Sequence, residues 1–173
     1  MPPVNNVTRF LDARKVPYTA FETPGEKLGA LATAEFLNVP PETVFKTIVV
    51  TRDKRSTPQS GSVEKPRKPI LAVIPGTNVV DLKLLAAFLG EKKVHLPTER
   101  EAEGLTGLQA GGISPLALIN KGFQVVIDSA AQKYPEIHVS GGQRGLNIRL
   151  PVTALVKLTN ARLASISRTG EEN

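Results

Sequence analysis

The sequence predicts a single mixed α/β domain, with a curled mixed β-sheet flanked by helices. Three observations carry that expectation. The 173 residues are 40% apolar, with no apolar run near the roughly 20 residues that a membrane span needs. That suits one soluble domain long enough to bury a core, expected over residues 1–167 with a polar tail at 168–173. Apolar periodicity marks about seven short strands and about five helices. Several strands follow one another with no helix between them, which favours a mixed sheet over a doubly wound parallel one.

Asn5 or Asn6 can cap a first helix whose apolar positions Val7, Phe10 and Leu11 follow helical spacing, and Pro17 stops it beyond Val16. Tyr18 to Glu22 alternates as a short strand. Leu28, Leu31, Ala32 and Phe36 mark the apolar stripe of a second helix, which ends before Pro40-Pro41. Val44 to Thr51 is a nearly continuous β-branched strand carrying one charge, Lys46. Residues 53–69 are polar, rich in Pro, Ser, Lys and Arg, and lack periodic apolar positions, so a mobile loop inserted between two strands is expected.

Ile70 to Ile74 resumes as a strand, Pro75-Gly76 turns the chain, and Asp81 caps a helix through Leu82, Leu85, Ala86 and Leu89 that Gly90 closes. Val94 to Leu96 reads as a short strand. Thr98 with Glu101 forms a capping-box signature before a glycine-rich stretch, GLTGLQAGGISP. Phe123 to Asp128 and Glu136 to Ser140 read as strands, and GGQRG turns the second of these into Leu146 to Leu150 as a hairpin. Pro151 starts a last helix through Leu155 and Leu158, and Arg162 to Ile166 closes the sheet.

There are no cysteines, which removes disulfides, thiolate metal sites and cysteine nucleophiles. His95 and His138 have no recognisable metal-ligand spacing and no nucleophile-elbow context, so neither zinc hydrolysis nor a serine triad is expected, and no metal or cofactor is implied. The N-terminus lacks a basic segment followed by an apolar stretch, so a cytoplasmic location and no membrane association are expected. The formal charge of +6 and pI near 9.7 favour polyanionic partners; a solvated basic surface is the ordinary alternative. Aromatic content of 5% with no basic-aromatic interleaving disfavours a base-stacking single-strand binder.

Three segments can carry chemistry. Lys46 shares a strand face with Ile48 and Val50, so it either snorkels to water from a strand end or is held as a donor for a carbonyl or phosphate oxygen. Gly111-Gly112-Ile113-Ser114-Pro115 can expose backbone amides to an oxyanion, or be an ordinary tight loop. Ser140-Gly141-Gly142-Gln143-Arg144-Gly145 can place Arg144 against a phosphate, or simply join two strands.

VFKTIVV (44–50), AVIPG (72–76), DLKLLAAFLGEKKV (81–94), GGISPL (111–116) and HVSGGQRGLNIRL (138–150), in this order across nearly the whole chain, resemble the YbaK family, which is also similar to the editing insertion domain of bacterial prolyl-tRNA synthetases. The resemblance implies a strongly curved, barrel-like mixed sheet and a freestanding trans-editing deacylase that hydrolyses mischarged tRNA, cysteinyl-tRNA(Pro) first. It implies that Lys46 is the catalytic residue, that Gly111, Gly112, Ile113, Ser114 and Pro115 line the aminoacyl pocket, and that Gly141, Gly142 and Asn147 join the substrate-binding set. The Gly111 and Gly112 amides are expected to support the oxyanion. Arg144, Lys65, Arg67 and Lys68 are the expected tRNA contacts, and aminoacyl-tRNA, with prolyl-tRNA synthetase or another synthetase, the expected partners.

Departures from the YbaK pattern bear on specificity. Asn147 stands where such sequences commonly have Asp, and Ala117 and Leu118 replace a more usual glycine and polar residue, which predicts a tighter, more apolar pocket mouth. The rivals are a deacylase for alanyl-tRNA(Pro) or another mischarged tRNA, and a binding module that holds tRNA or a synthetase without hydrolysis.

Overall fold

Local signals start and stop most elements of the computed structural model, which describes residues 1–53 and 68–170. Asn5 caps helix α1 (Asn6–Ala13) by accepting from Thr8 N, while its own N-H donates to Thr8 Oγ1, so two otherwise orphan donors are satisfied. Asp81 accepts from Lys83 N and Leu84 N at the start of α3 (Leu82–Leu89), and Gly90 ends that helix at φ +72°, a left-handed conformation that glycine adopts without strain. Thr98 and Glu101 form the capping box of α4 (Glu99–Thr106), whose backbone hydrogen bond holds the Glu101 carboxyl below its ordinary pKa.

Helix α2 (Ala30–Leu37) forms where the sequence places it but turns a different face inward. Thr33 and Ala34 are its buried residues, whereas Leu31 and Phe36 are 48% and 56% exposed. One cause is close approach at the helix start: a β-carbon on Gly76 would stand 2.5 Å from Ala30 Cβ, so that turn takes a small residue on the inward face. Helix α5 (Val152–Thr159) follows Pro151 and buries Val152 and Leu155.

The ten strands are β1 (Thr19–Glu22), β2 (Phe45–Arg52), β3 (Ile70–Pro75), β4 (Asn78–Val80), β5 (Val94–His95), β6 (Gln124–Asp128), β7 (Glu136–Ser140), β8 (Leu146–Pro151), β9 (Arg162–Ala164) and β10 (Ser167–Thr169), counted among the described residues. They pair as a three-stranded sheet β1-β8-β7, a five-stranded sheet β5-β2-β3-β6-β9 and a two-stranded ribbon β10-β4. Mixed pairing was legible in sequence: β2 runs antiparallel to β3, and β3, β6 and β9 run parallel. β10 carries the pairing through Thr169, two residues into the stretch expected as a polar tail from 168.

The barrel-like closure is not found. The only backbone pairing between the two larger sheets among the described residues is a single parallel bridge, Val44 to His138. β1 and β9 end as unpaired edges, whereas a barrel needs every strand paired on both sides. β3 divides the core. Its Leu71 and Val73 join Phe45, Val49, Ile148 and Leu155 in the larger cluster, and Ile70, Ala72 and Ile74 join Val50, Leu85 and Ile166 in the smaller. Buried on both faces, β3 reads as the continuous apolar run that its sequence shows.

Asp128 fastens the C-terminal crossover. Its Oδ1 accepts from Ala130 N at 2.9 Å, and its Oδ2 accepts from Ile166 N at 3.1 Å and Ser167 Oγ at 2.7 Å, with only 4% of the residue exposed. Asp128→Asn leaves one of these donors facing an amide NH2, and is expected to lower stability by about 1.5 kcal/mol, read as a lower urea midpoint at unchanged slope. Among the described residues no helix is long and apolar enough to cross a membrane.

Candidate functional site

The site is built on the open edge of β2. Gly76 N donates to Val44 O at 2.8 Å, and antiparallel alternation then turns the backbone of Val44, Lys46, Ile48 and Val50 toward β3. Phe45, Thr47 and Val49 turn theirs to the opposite edge. On that edge β2 meets β7 only at the Val44 bridge and β5 only at Thr51 and Arg52, and among the described residues no strand pairs with it between these points. A cleft of about 1200 Å³ opens there.

The cleft joins segments that are far apart in sequence. Lys46, half-buried on β2, lines it together with Gly111, Ile113 and Asn147, four of the residues singled out in the sequence. Lys27, Leu96 and Asp81 line it from three further segments. Lys27 also pairs with Glu99 at the first residue of α4, tying the segment before α2 to that helix across exposed surface.

Several of the other predicted residues pack within the loops. A β-carbon at Gly112 would lie 2.8 Å from Gln143 Cα and 3.1 Å from Arg144 N, so the GGISP loop packs directly on the backbone of the β7–β8 turn. Gly112 N donates to Gln109 O at 2.8 Å, so its amide is committed within the loop and the expected pairing of the Gly111 and Gly112 amides on one oxyanion does not form. Gly111, at φ +88°, abuts Lys27 Cα and Leu28 N. Ser114 is fully buried, its Oγ accepting from Leu116 N to cap the short 3-10 turn Pro115–Leu118, and Pro115 is buried behind it.

Arg144 acts as a clamp on the same seam, its Nε donating to Ala110 O at 2.8 Å. Gly141 and Gly142 stand outside the cleft lining: a β-carbon on Gly141 would strike Leu146, and one on Gly142 would crowd Val7 and Ala117. Asn5 Nδ2 donates to Gly141 O, so this turn is pinned to the start of α1. Ala117 and Leu118 also lie outside the lining, packed in the core, so they do not narrow the pocket mouth as expected. Lys68 is exposed, and its carbonyl accepts from Arg52 Nε. Lys65 and Arg67, with most of the predicted insertion, lie outside the described residues.

Sequence reasoning gave no role to His138 or Thr47, and none to Ser140 beyond opening the turn segment it singled out. His138 is 3% exposed, and its Nδ1 meets Asn147 Oδ1 at 2.8 Å. The Phe21 ring lies 5.5 Å from the imidazole. Burial, the leading cause, and the nearby Arg149 charge push the His138 pKa down against the opposing Asn147 bond and Glu136 charge, so the ring is neutral at pH 7. The signal available in sequence was strand alternation: Glu136, His138 and Ser140 occupy one face of β7 while Ile137 and Val139 enter the core. Thr47 lines the cleft from β2, and its Oγ1 is buried without a hydrogen-bond partner among the described residues.

Residues 26–158 match the aminoacyl-tRNA editing domain family. Over 164 residues, 94% of this chain and 92% of its relative, the sequence is 35% identical to the "Putative Cys-tRNA(Pro)/Cys-tRNA(Cys) deacylase EbsC" of Enterococcus faecalis. The fold is similar to that of a solved structure described as a "putative trans-editing enzyme for prolyl tRNA synthetase", with TM-score 0.73 and 21% identity over 96% of this chain and 99% of that one. It is also similar to that of the hypothetical protein APE2540, with TM-score 0.79 and 22% identity over 95% of this chain and 100% of that one.

Proposed function

The chain belongs to the aminoacyl-tRNA editing domain family, and on that footing we propose that it is a trans-editing deacylase for mischarged tRNA, acting first on cysteinyl-tRNA(Pro). The observation that carries the reading is the convergence of Lys46, Gly111, Ile113 and Asn147 on one cleft beside an unpaired strand edge. The substrate preference rests on the relative from Enterococcus faecalis, which covers nearly the whole chain.

The chemistry asks little of the protein. An aminoacyl ester is already activated, so the cleft has to hold the 3′ end and stabilise charge as the carbonyl carbon becomes tetrahedral. Lys46 supplies an ammonium donor to the terminal phosphate or to the carbonyl oxygen. The attacking group is water or, on a cysteinyl ester, the substrate's own thiol. In either case the bond to the ribose oxygen breaks and that oxygen leaves with a proton. The Gly111 amide and the Thr47 backbone edge are further donors on the cleft wall.

Deacylation assays across cysteinyl-, alanyl- and seryl-tRNAs test the proposal. Cysteinyl-tRNA(Pro) is expected to have the highest kcat/KM, by about tenfold or more over the alanyl ester. Faster turnover of the alanyl ester would reassign the substrate and leave the reaction standing. No turnover on any of the three would replace the enzyme with a tRNA-binding module.

A further inference from the structure

We propose that His138 is a positioning residue that locks the Asn147 side-chain amide, so that β7 and β8 present hydrogen-bond donors to the cleft and recognise an unprotonated acceptor oxygen of the substrate. This deepens the deacylase reading and rests on it. The geometry is local to the hairpin. Ser140 and Asn147 are directly opposed across β7 and β8, and both line the cleft.

Asn147 Oδ1 is an amide oxygen and can only accept, so the His138 nitrogen that meets it at 2.8 Å carries the proton. His138 is in turn held by its surroundings: it is 3% exposed, with Phe21 beside its ring and Arg149 stacked over Phe21. With its oxygen turned to His138, Asn147 has its NH2 end directed away from the imidazole, and rotating the amide would break a buried bond. Ser140 is set the same way. Its Oγ accepts from Gly142 N at 3.3 Å, which leaves the hydroxyl proton to donate.

Two opposed donors suit a carbonyl or phosphodiester oxygen and disfavour an ammonium group, which would face N-H and O-H protons and find only the second lone pairs of two oxygens already engaged. An aminoacyl-tRNA end offers both kinds of oxygen. Mutational ranking tests the polarity. Asp is nearly isosteric with Asn and keeps an oxygen for His138, so a purely structural role makes Asn147→Asp milder than Asn147→Ala. Donor recognition reverses this order, because a carboxylate repels the substrate oxygen: kcat/KM is expected to fall about tenfold or more in Asn147→Asp, and further than in Asn147→Ala.

His138→Phe is expected to match Asn147→Ala in its loss and to add nothing on that background; additive losses would overturn the positioning role. Nitrogen-15 NMR of the wild-type protein tests the claim without turnover. The His138 ring is expected to be the neutral form protonated at Nδ1, and the form protonated at Nε2 would overturn the proposal.

The Asn147 NH2 resonances then separate the two oxygen sources. The probes are a CCA-ended acceptor-stem minihelix and the same minihelix bearing a 3′ amide-linked cysteine. A shift with both assigns the phosphodiester, and a shift with the second alone assigns the carbonyl. A shift with neither, although backbone resonances at Lys46 respond, overturns the proposal. No response at Lys46 counts instead against the deacylase reading.

Discussion

Lys46→Ala is expected to lower kcat/KM for deacylation of mischarged tRNA by about a hundredfold or more while leaving the thermal midpoint nearly unchanged. A cationic donor in a half-buried cleft acts at a lower effective dielectric than in water, and losing its contact to a charge-developing oxygen costs about 3 kcal/mol of transition-state stabilisation. The fold tolerates the change because the strand faces around Lys46 are set by Phe45, Val49 and Val50, which remain. Lys46→Arg keeps the charge but not the compact ammonium, and is expected to recover only part of the rate. Single-turnover deacylation with limiting charged tRNA is the direct measurement, and an undiminished rate in Lys46→Ala would remove the lysine from the reaction.

Gly112→Val is expected to cost about 3 kcal/mol of stability and to take most of the activity with it. The first added carbon would stand 2.8 Å from Gln143 Cα, with Gln143 C and Arg144 N also too close, and all three are backbone atoms that cannot swing aside as a side chain would. The loop and the β7–β8 turn must separate, which also breaks the bond from Arg144 Nε to Ala110 O. Urea unfolding and the deacylation assay should therefore fall together. A variant of wild-type stability and activity would show that the seam is loose.

What the sequence made legible was mostly local. Asn5, Asp81 and the Thr98-Glu101 pair declare helix starts because the cap lies within three residues of the amides it satisfies. Strand β3 was legible because burial on both faces demands a continuous apolar run. The buried face of α2 was not, because close approach at Gly76 favours a small residue on the inward face, a contact between distant segments. β4 and β10, three residues each, are too short to show a period.

The site divides in the same way. Lys46, Gly111, Ile113 and Asn147 carried signals of their own, and the cleft joins them. Gly112, Ser114, Pro115 and Arg144 carried the same kinds of signal, yet the Gly112 amide, the Ser114 hydroxyl and the Arg144 Nε bond within the scaffold, and Pro115 is buried. No pattern of residue types distinguishes a glycine that opens its amide to a ligand from one whose amide turns back on its own loop. His138 was passed over because it has no metal-ligand spacing and no nucleophile-elbow context, and only the hairpin register places Asn147 beside it.

The unpaired stretch of β2 carries a hazard as well as an opportunity. Unsatisfied N-H and C=O groups along a strand edge are a template on which another chain can add a strand, the first step toward intermolecular sheet growth. Here that stretch lies at the bottom of a recess between the Val44 bridge and the Thr51 pairing, flanked by the loop at Gly111 and the segment before α2. The flanking loop and segment obstruct strand addition by a folded neighbour, and the proposed function has the single-stranded 3′ end of a tRNA enter there instead. On the proposed function, the geometry that would receive the substrate is also one that hinders strand addition by another chain.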